Sequence, residues 1–157
     1  MRKNITLLLL LTLTNVFGQN VLKFQDTEDK YMMSMDYYNE YNDCTVRAVA
    51  EGFNKSYKEA LLITQSWGRK NQEGLLMRPF IVGMNKYFAK EIVYGTNFKG
   101  TPQDMLEIVE DGYSYIMLCM DHVFVLEQNK VGSNKWIVKG NRGDKKRNLF
   151  AYIKVKR

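Results

Sequence analysis

Tyr115-Ile116-Met117-Leu118-Cys119-Met120-Asp121-His122-Val123-Phe124-Val125-Leu126 is the stretch on which the fold turns. Two apolar runs rich in β-branched and aromatic residues flank a short polar break. Each has the length of a strand, and neither carries helical spacing. They predict strands over Tyr113 to Met120 and Val123 to Leu126. Trp136 to Val138 and Phe150 to Val155 follow in the same style, with Asn129, Gly132, Ser133 and Asn134 as turn residues between the middle pair. Everything after Gly112 is therefore expected to form an antiparallel sheet.

The chain before Gly112 has a different period. Val46, Val49, Ala50 and Phe53 line one face of a helix that Asn42 or Asp43 would cap and Gly52 with Asn54 would end. Ser56-Tyr57-Lys58-Glu59 is a capping box opening a second helix to about Arg69. A third is expected from Pro79 to Phe88 and a short strand from Glu91 to Tyr94. Thr101-Pro102-Gln103-Asp104 starts another helix, with Met105, Leu106, Ile108 and Val109 inward and Gly112 as its stop. Residues 19–40 are polar and tyrosine-rich with no sustained period, and read as an irregular arm. Helices first and sheet second describe an α+β domain of two segregated layers.

Arg2 and Lys3, the leucine run from Leu7 to Leu13 and the small residues before Gln19 form a secretory leader cut after Gly18. The run is short for a membrane span. The expectation is a secreted or periplasmic chain with a leader at 1–18, an arm at 19–40 and one domain at 41–157, not held as an integral membrane protein. The formal charge is +6, and Lys139, Arg142, Lys145, Lys146, Arg147, Lys154, Lys156 and Arg157 crowd the C-terminal part with Asp144 as its lone acid. Export argues against nucleic acid as partner. Tyr152, Ile153 and Val155 read as an edge strand whose lysines discourage sheet-to-sheet pairing.

The chain has one histidine and two cysteines. Cys44 stands at a helix start, where unpaired N–H groups favour the thiolate. His122, the only imidazole available, would hold that thiolate as an ion pair and carry its proton. Strand parity puts His122 with Phe124 and Leu126, and Cys119 on the other face, which argues against Cys119 as nucleophile. A Cys44–Cys119 disulfide in an exported protein is the competing reading. One histidine and two distant cysteines make no zinc site of usual composition, and no other cofactor is expected.

Asn42-Asp43-Cys44-Thr45-Val46-Arg47-Ala48 resembles the cysteine motif of small papain-fold peptidases of bacteria and phages, which are similar in outline to the bacteriocin-processing (C39-like) peptidases. Asp121-His122-Val123-Phe124-Val125-Leu126 resembles their histidine strand, and Asn134-Lys135-Trp136 their Asp-x-Trp segment. The resemblance implies a papain-like cysteine proteinase fold with Cys44 as nucleophile and His122 as base. It implies Asn134 as the group that orients the imidazole. Hairpin geometry offers Asn141 instead. Papain-like enzymes complete the oxyanion hole with a polar side chain six residues before the cysteine. That position is Tyr38 here, so Asn39 and Asn42 are the candidates. The expected function is exported hydrolysis of a peptide or amide bond, with a peptide, protein or peptidoglycan peptide as substrate and the monomer as working form. The alternative is an inactive papain-fold binding protein. The tyrosines Tyr31, Tyr37, Tyr38 and Tyr41 either line a cleft beside Cys44 or pack the arm onto the domain.

Overall fold

The computed structural model describes residues 19–40, 42–130, 132–140 and 144–157. Residues 1–18, read above as a leader, Tyr41 and Asn141 lie outside the described residues. The elements are β1 (Val21–Asp26), α1 (Glu28–Tyr38), α2 (Cys44–Gly52), α3 (Tyr57–Ser66), α4 (Met77–Tyr87), β2 (Ile92–Gly100), β3 (Tyr113–Leu118), β4 (Val123–Gln128), β5 (Lys135–Gly140) and β6 (Leu149–Lys156). Among the described residues the strands form one sheet in the order β1-β5-β4-β3-β6-β2. The neighbours are antiparallel except β1 and β5, which run parallel. The fold is α+β.

Both faces of the sheet are covered, which is why its strands read as continuous apolar runs rather than alternating ones. Ile116, Leu118, Val123, Val125, Ala151, Ile153 and Val155 face a core built with Val46, Val49, Ala60, Phe80 and Met84 of the helices. Tyr115, Met117, Phe124, Leu126, Trp136, Val138 and Tyr152 face a second core, joined by Met105 and Leu106. Alternate residues thus serve alternate cores, as the period of a strand requires. Each such side chain contributes roughly 1.5–3 kcal/mol by leaving water.

Two helix ends form as the sequence says. Ser56 Oγ accepts from the Glu59 N–H at 3.2 Å while the Glu59 carboxylate takes the Ser56 N–H at 2.9 Å, a complete capping box. Asn54 is left-handed (φ 50°) just beyond α2, and the Lys55 N–H closes back on the Ala50 carbonyl at 2.9 Å.

Four expectations are corrected. Residues 19–40 are not irregular: Leu22 and Phe24 alternate inward on β1, and Tyr31, Met35 and Tyr38 form the inner face of α1. The segment after Pro102 makes only a single 3₁₀ turn, Asp104–Glu107, where the Asp104 carboxylate takes the Thr101 N–H at 2.6 Å. The last strand is not an edge: β6 lies between β3 and β2, because β2 runs on to Gly100. Lys154 is buried there, 2.5 Å from Glu110 Oε1 and 4.1 Å over the Tyr113 ring. Finally, β3 and β4 meet through the turn at Met120 and Asp121, with Leu118 opposite Val123 and the Cys119 N–H 2.8 Å from the His122 carbonyl. The turn restarts the alternation, so Cys119 and Phe124 share the second core instead of facing apart.

Candidate active site

Cys44 is the first residue of α2, half-buried where that helix meets the sheet. Asp43 occupies the capping position but caps nothing with its side chain. Its carboxylate takes Arg47 Nε at 2.9 Å and the Tyr57 hydroxyl at 3.1 Å. All three residues are buried. The aspartate and arginine of the cysteine motif are thus one ion pair, four residues apart, that ties the first turn of α2 to α3. Removing one partner of a buried pair strands the other charge at a cost of about 3–5 kcal/mol.

His122 leads into β4 from the turn after β3. Its Nε2 lies 3.1 Å from Asp144 Oδ2. The imidazole is also hydrogen-bonded to the Cys44 thiol. With Nε2 engaged by the carboxylate, Nδ1 is the nitrogen left for sulfur. The Val123 N–H donates to the same sulfur. The Phe124 ring packs 5.9 Å from the imidazole.

The electrostatics favour an ion pair. Burial raises the Cys44 pKa, but the hydrogen bond and charge of His122, the Val123 N–H and the charge of Arg47 outweigh it and leave the thiol below its ordinary value. Burial lowers the His122 pKa, but the hydrogen bonds to Asp144 and Cys44 and their charges carry it up to about 9. Cys119 behaves in the opposite way: burial pushes its thiol up to about 11. Both cysteines are free, so the disulfide reading is set aside.

Asp144 is the residue that sequence reasoning missed. It opens a 3₁₀ turn, Asp144–Lys146, after β5 and is fully buried. Its Oδ1 takes Arg147 Nε at 2.8 Å, and Arg147 reaches on to Asp121 at 3.3 Å. Asn134 does not approach the imidazole. It precedes β5 at the opposite end from Gly140, and its Nδ2 donates to the Gln19 carbonyl at 3.0 Å. Val125 pairs with Lys139 and Leu126 with Val138, and Asn141, the alternative that hairpin geometry offered, lies outside the described residues. Asn39 ends α1 in the left-handed conformation, and Asn42 is likewise left-handed and exposed. Both stand on the connection that enters Cys44.

No family model, curated protein or solved structure matches the chain.

Thr27, Cys44, Arg47, Glu51, His122, Lys139 and neighbours line a small cavity of about 10 Å³, about the volume of one water. Glu51, in the last turn of α2, takes Lys30 at 2.5 Å, Tyr31 at 2.7 Å and Lys139 at 2.8 Å. Burial raises its pKa, and these three donors bring it down to about 2. Lys139 also pairs with Glu127, which Arg157 meets in turn. Among the described residues no group of histidine, cysteine and carboxylates is arranged to hold a metal ion, and no helix is long and apolar enough to cross a membrane.

Proposed function

We propose that this chain is an exported cysteine hydrolase of papain-like fold that cleaves a peptide or amide bond. One observation carries the reading: the hydrogen-bonded line from Cys44 through His122 to Asp144. Nucleophile, base and orienting carboxylate come from a helix start, a strand start and a turn, with the pKa values of thiol and imidazole moved toward each other's charged state.

Thiolate Sγ attacks the carbonyl carbon, and the carbonyl electron pair moves to oxygen. The backbone N–H of Cys44 stabilises that oxyanion, unopposed by a capping side chain because Asp43 is committed to Arg47 and Tyr57. Asn42 and Asn39 are the candidates for the second donor. The C–N bond then breaks, and His122 gives its proton to the leaving amine. A thioester remains with a neutral imidazole. Water loses a proton to His122 as it adds to the thioester, the C–S bond breaks, and the acid departs from a restored thiolate–imidazolium pair. Asp144 keeps the ring oriented and stabilises its charge in both halves of the cycle.

The substrate side has room. Leu118, cross-strand from the Val123 that bonds Cys44, also lines an open groove of about 430 Å³. Ile81, Asn85, Asn97, Ala151, Tyr152 and Ile153 complete its lining. Export rests on the leader read in residues 1–18.

Iodoacetamide labelling with peptide mass mapping, followed by a screen of peptide and peptidoglycan amides, tests the reading. Cys44 is expected to label rapidly below pH 7 in wild type, and slowly in His122→Ala. Cys44→Ala is expected to abolish hydrolysis of any amide the wild type cleaves. Labelling indifferent to His122, or hydrolysis that survives Cys44→Ala, would sink it and leave the inactive binding protein in its place.

A further inference from the structure

Gly140 ends β5, opposite Asp26 of β1, and its carbonyl accepts the Thr27 N–H at 3.3 Å. Its φ is not positive, so the backbone itself is open to any residue. The constraint is space. A Cβ built on Gly140 falls 2.2 Å from Asp144 Oδ2, 3.2 Å from its Cγ and 3.0 Å from Phe124 Cβ. Oδ2 is the atom that meets His122 Nε2.

A carboxylate usually swings clear of such a contact. This one is held. Asp144 is fully buried, its other oxygen is bonded to Arg147 at 2.8 Å, and Phe124 Cβ is fixed to a strand in the middle of the sheet. Moving Oδ2 aside breaks its contact with the imidazole.

We infer that Gly140 is a positioning residue for His122: the Asp144 carboxylate stands in the space that the missing side chain leaves, and any Cβ at position 140 drives it off the imidazole. The charged groups around His122 are then Cys44 in contact with it, Arg47, Glu51 and Lys139 across the small cavity they share, and Arg147 paired with Asp121. The catalytic consequence rests on the hydrolase reading above, while the steric lock does not.

The lone histidine makes the lock directly readable, because NMR of the full chain shows a single imidazole titration. Wild type is expected to titrate near pH 9. Gly140→Ala is expected to bring that down by about one unit or more toward the ordinary value. Asp144→Ala should do the same, and the double variant Gly140→Ala/Asp144→Ala should match Asp144→Ala, because the methyl group then has the vacated space. A Gly140→Ala titration equal to that of wild type, or a further drop in the double variant, would overturn the inference. If Gly140→Ala does not fold, restored folding in the double variant supports the lock, and a double variant that is also unfolded refutes it. These readouts need no substrate. An absent hydrolase activity with the titration shift intact would sink the proposed reaction and leave the role of Gly140 standing.

Discussion

Glu51→Gln tests how the nucleophile helix is held. Cys44 begins α2 and Glu51 lies in its last turn, where its carboxylate binds Lys30 and Tyr31 of α1 and Lys139 of β5. Its pKa goes from 4.5 to about 2 on folding. A depressed carboxylate contributes stability that is fully present above its unfolded pKa and is lost as pH falls through the folded one. The shift of about 2.5 units corresponds to about 3 kcal/mol at pH 7, at about 1.4 kcal/mol per unit. The residue is almost fully buried, so little of this is screened. At pH 3 the unfolded carboxyl is already mostly protonated, and the same linkage leaves about 1.4 kcal/mol. Urea unfolding of wild type and Glu51→Gln at the two pH values measures both figures. Glutamine keeps the shape and removes the charge, so its penalty should shrink by about half from pH 7 to pH 3. A penalty under about 1 kcal/mol at pH 7, or one that does not change with pH, would refute the argument that these three donors hold a charged carboxylate.

The hydrolysis rate should fall off above about pH 9, where His122 loses the proton it gives to the leaving amine, and Asp144→Asn should move that limb to lower pH; a pH–rate profile on an amide that the wild type cleaves reads both. Asn134→Ala and Cys119→Ser should leave the labelling of Cys44 unchanged, since Asn134 bonds Gln19 and the Cys119 thiol is pushed up to about 11. Gly83→Ala should cost about 1–3 kcal/mol in the same urea assay, because its Cβ would fall 2.3 Å from the Trp67 ring and force helix α4 off α3.

The sequence disclosed the parts of this fold whose signals are local. The Ser56–Glu59 box, the apolar face of α2 and the apolar runs at Ile116 and Val125 are each readable from neighbouring residues, and each forms its element. Residues 19–40 hid theirs. Tyr31, Met35 and Tyr38 have helical spacing, but Met32, Met33 and Tyr37 are equally apolar and face solvent, so the stripe has no contrast. Strand β1 offers only Leu22 and Phe24 as inward residues. The site was half legible for a related reason. Cys44 and His122 announce themselves by chemistry, whereas Asp144 depends on where the chain goes after a hairpin. Its one signal was being the only acid in a basic segment, and an acid among that many cations is more easily read as paired with them than with a histidine 22 residues earlier.

The position of β6 sets an order of events during synthesis. Strand β2 is complete by Gly100, yet its ladder partner begins only at Leu149. Until then β2 has no hydrogen-bonding neighbour in the sheet, and β3 has only β4. Local pieces such as α3 and the β3–β4 hairpin can form as they emerge, but the sheet closes late and through contacts distant in sequence, which slows folding and leaves strand edges open meanwhile. The thiol and the imidazole are both made before that closure, and the carboxylate that orients the imidazole arrives only a few residues ahead of β6. A chain interrupted in its last strand would thus carry all three groups while lacking the strand that joins β2 to the rest of the sheet.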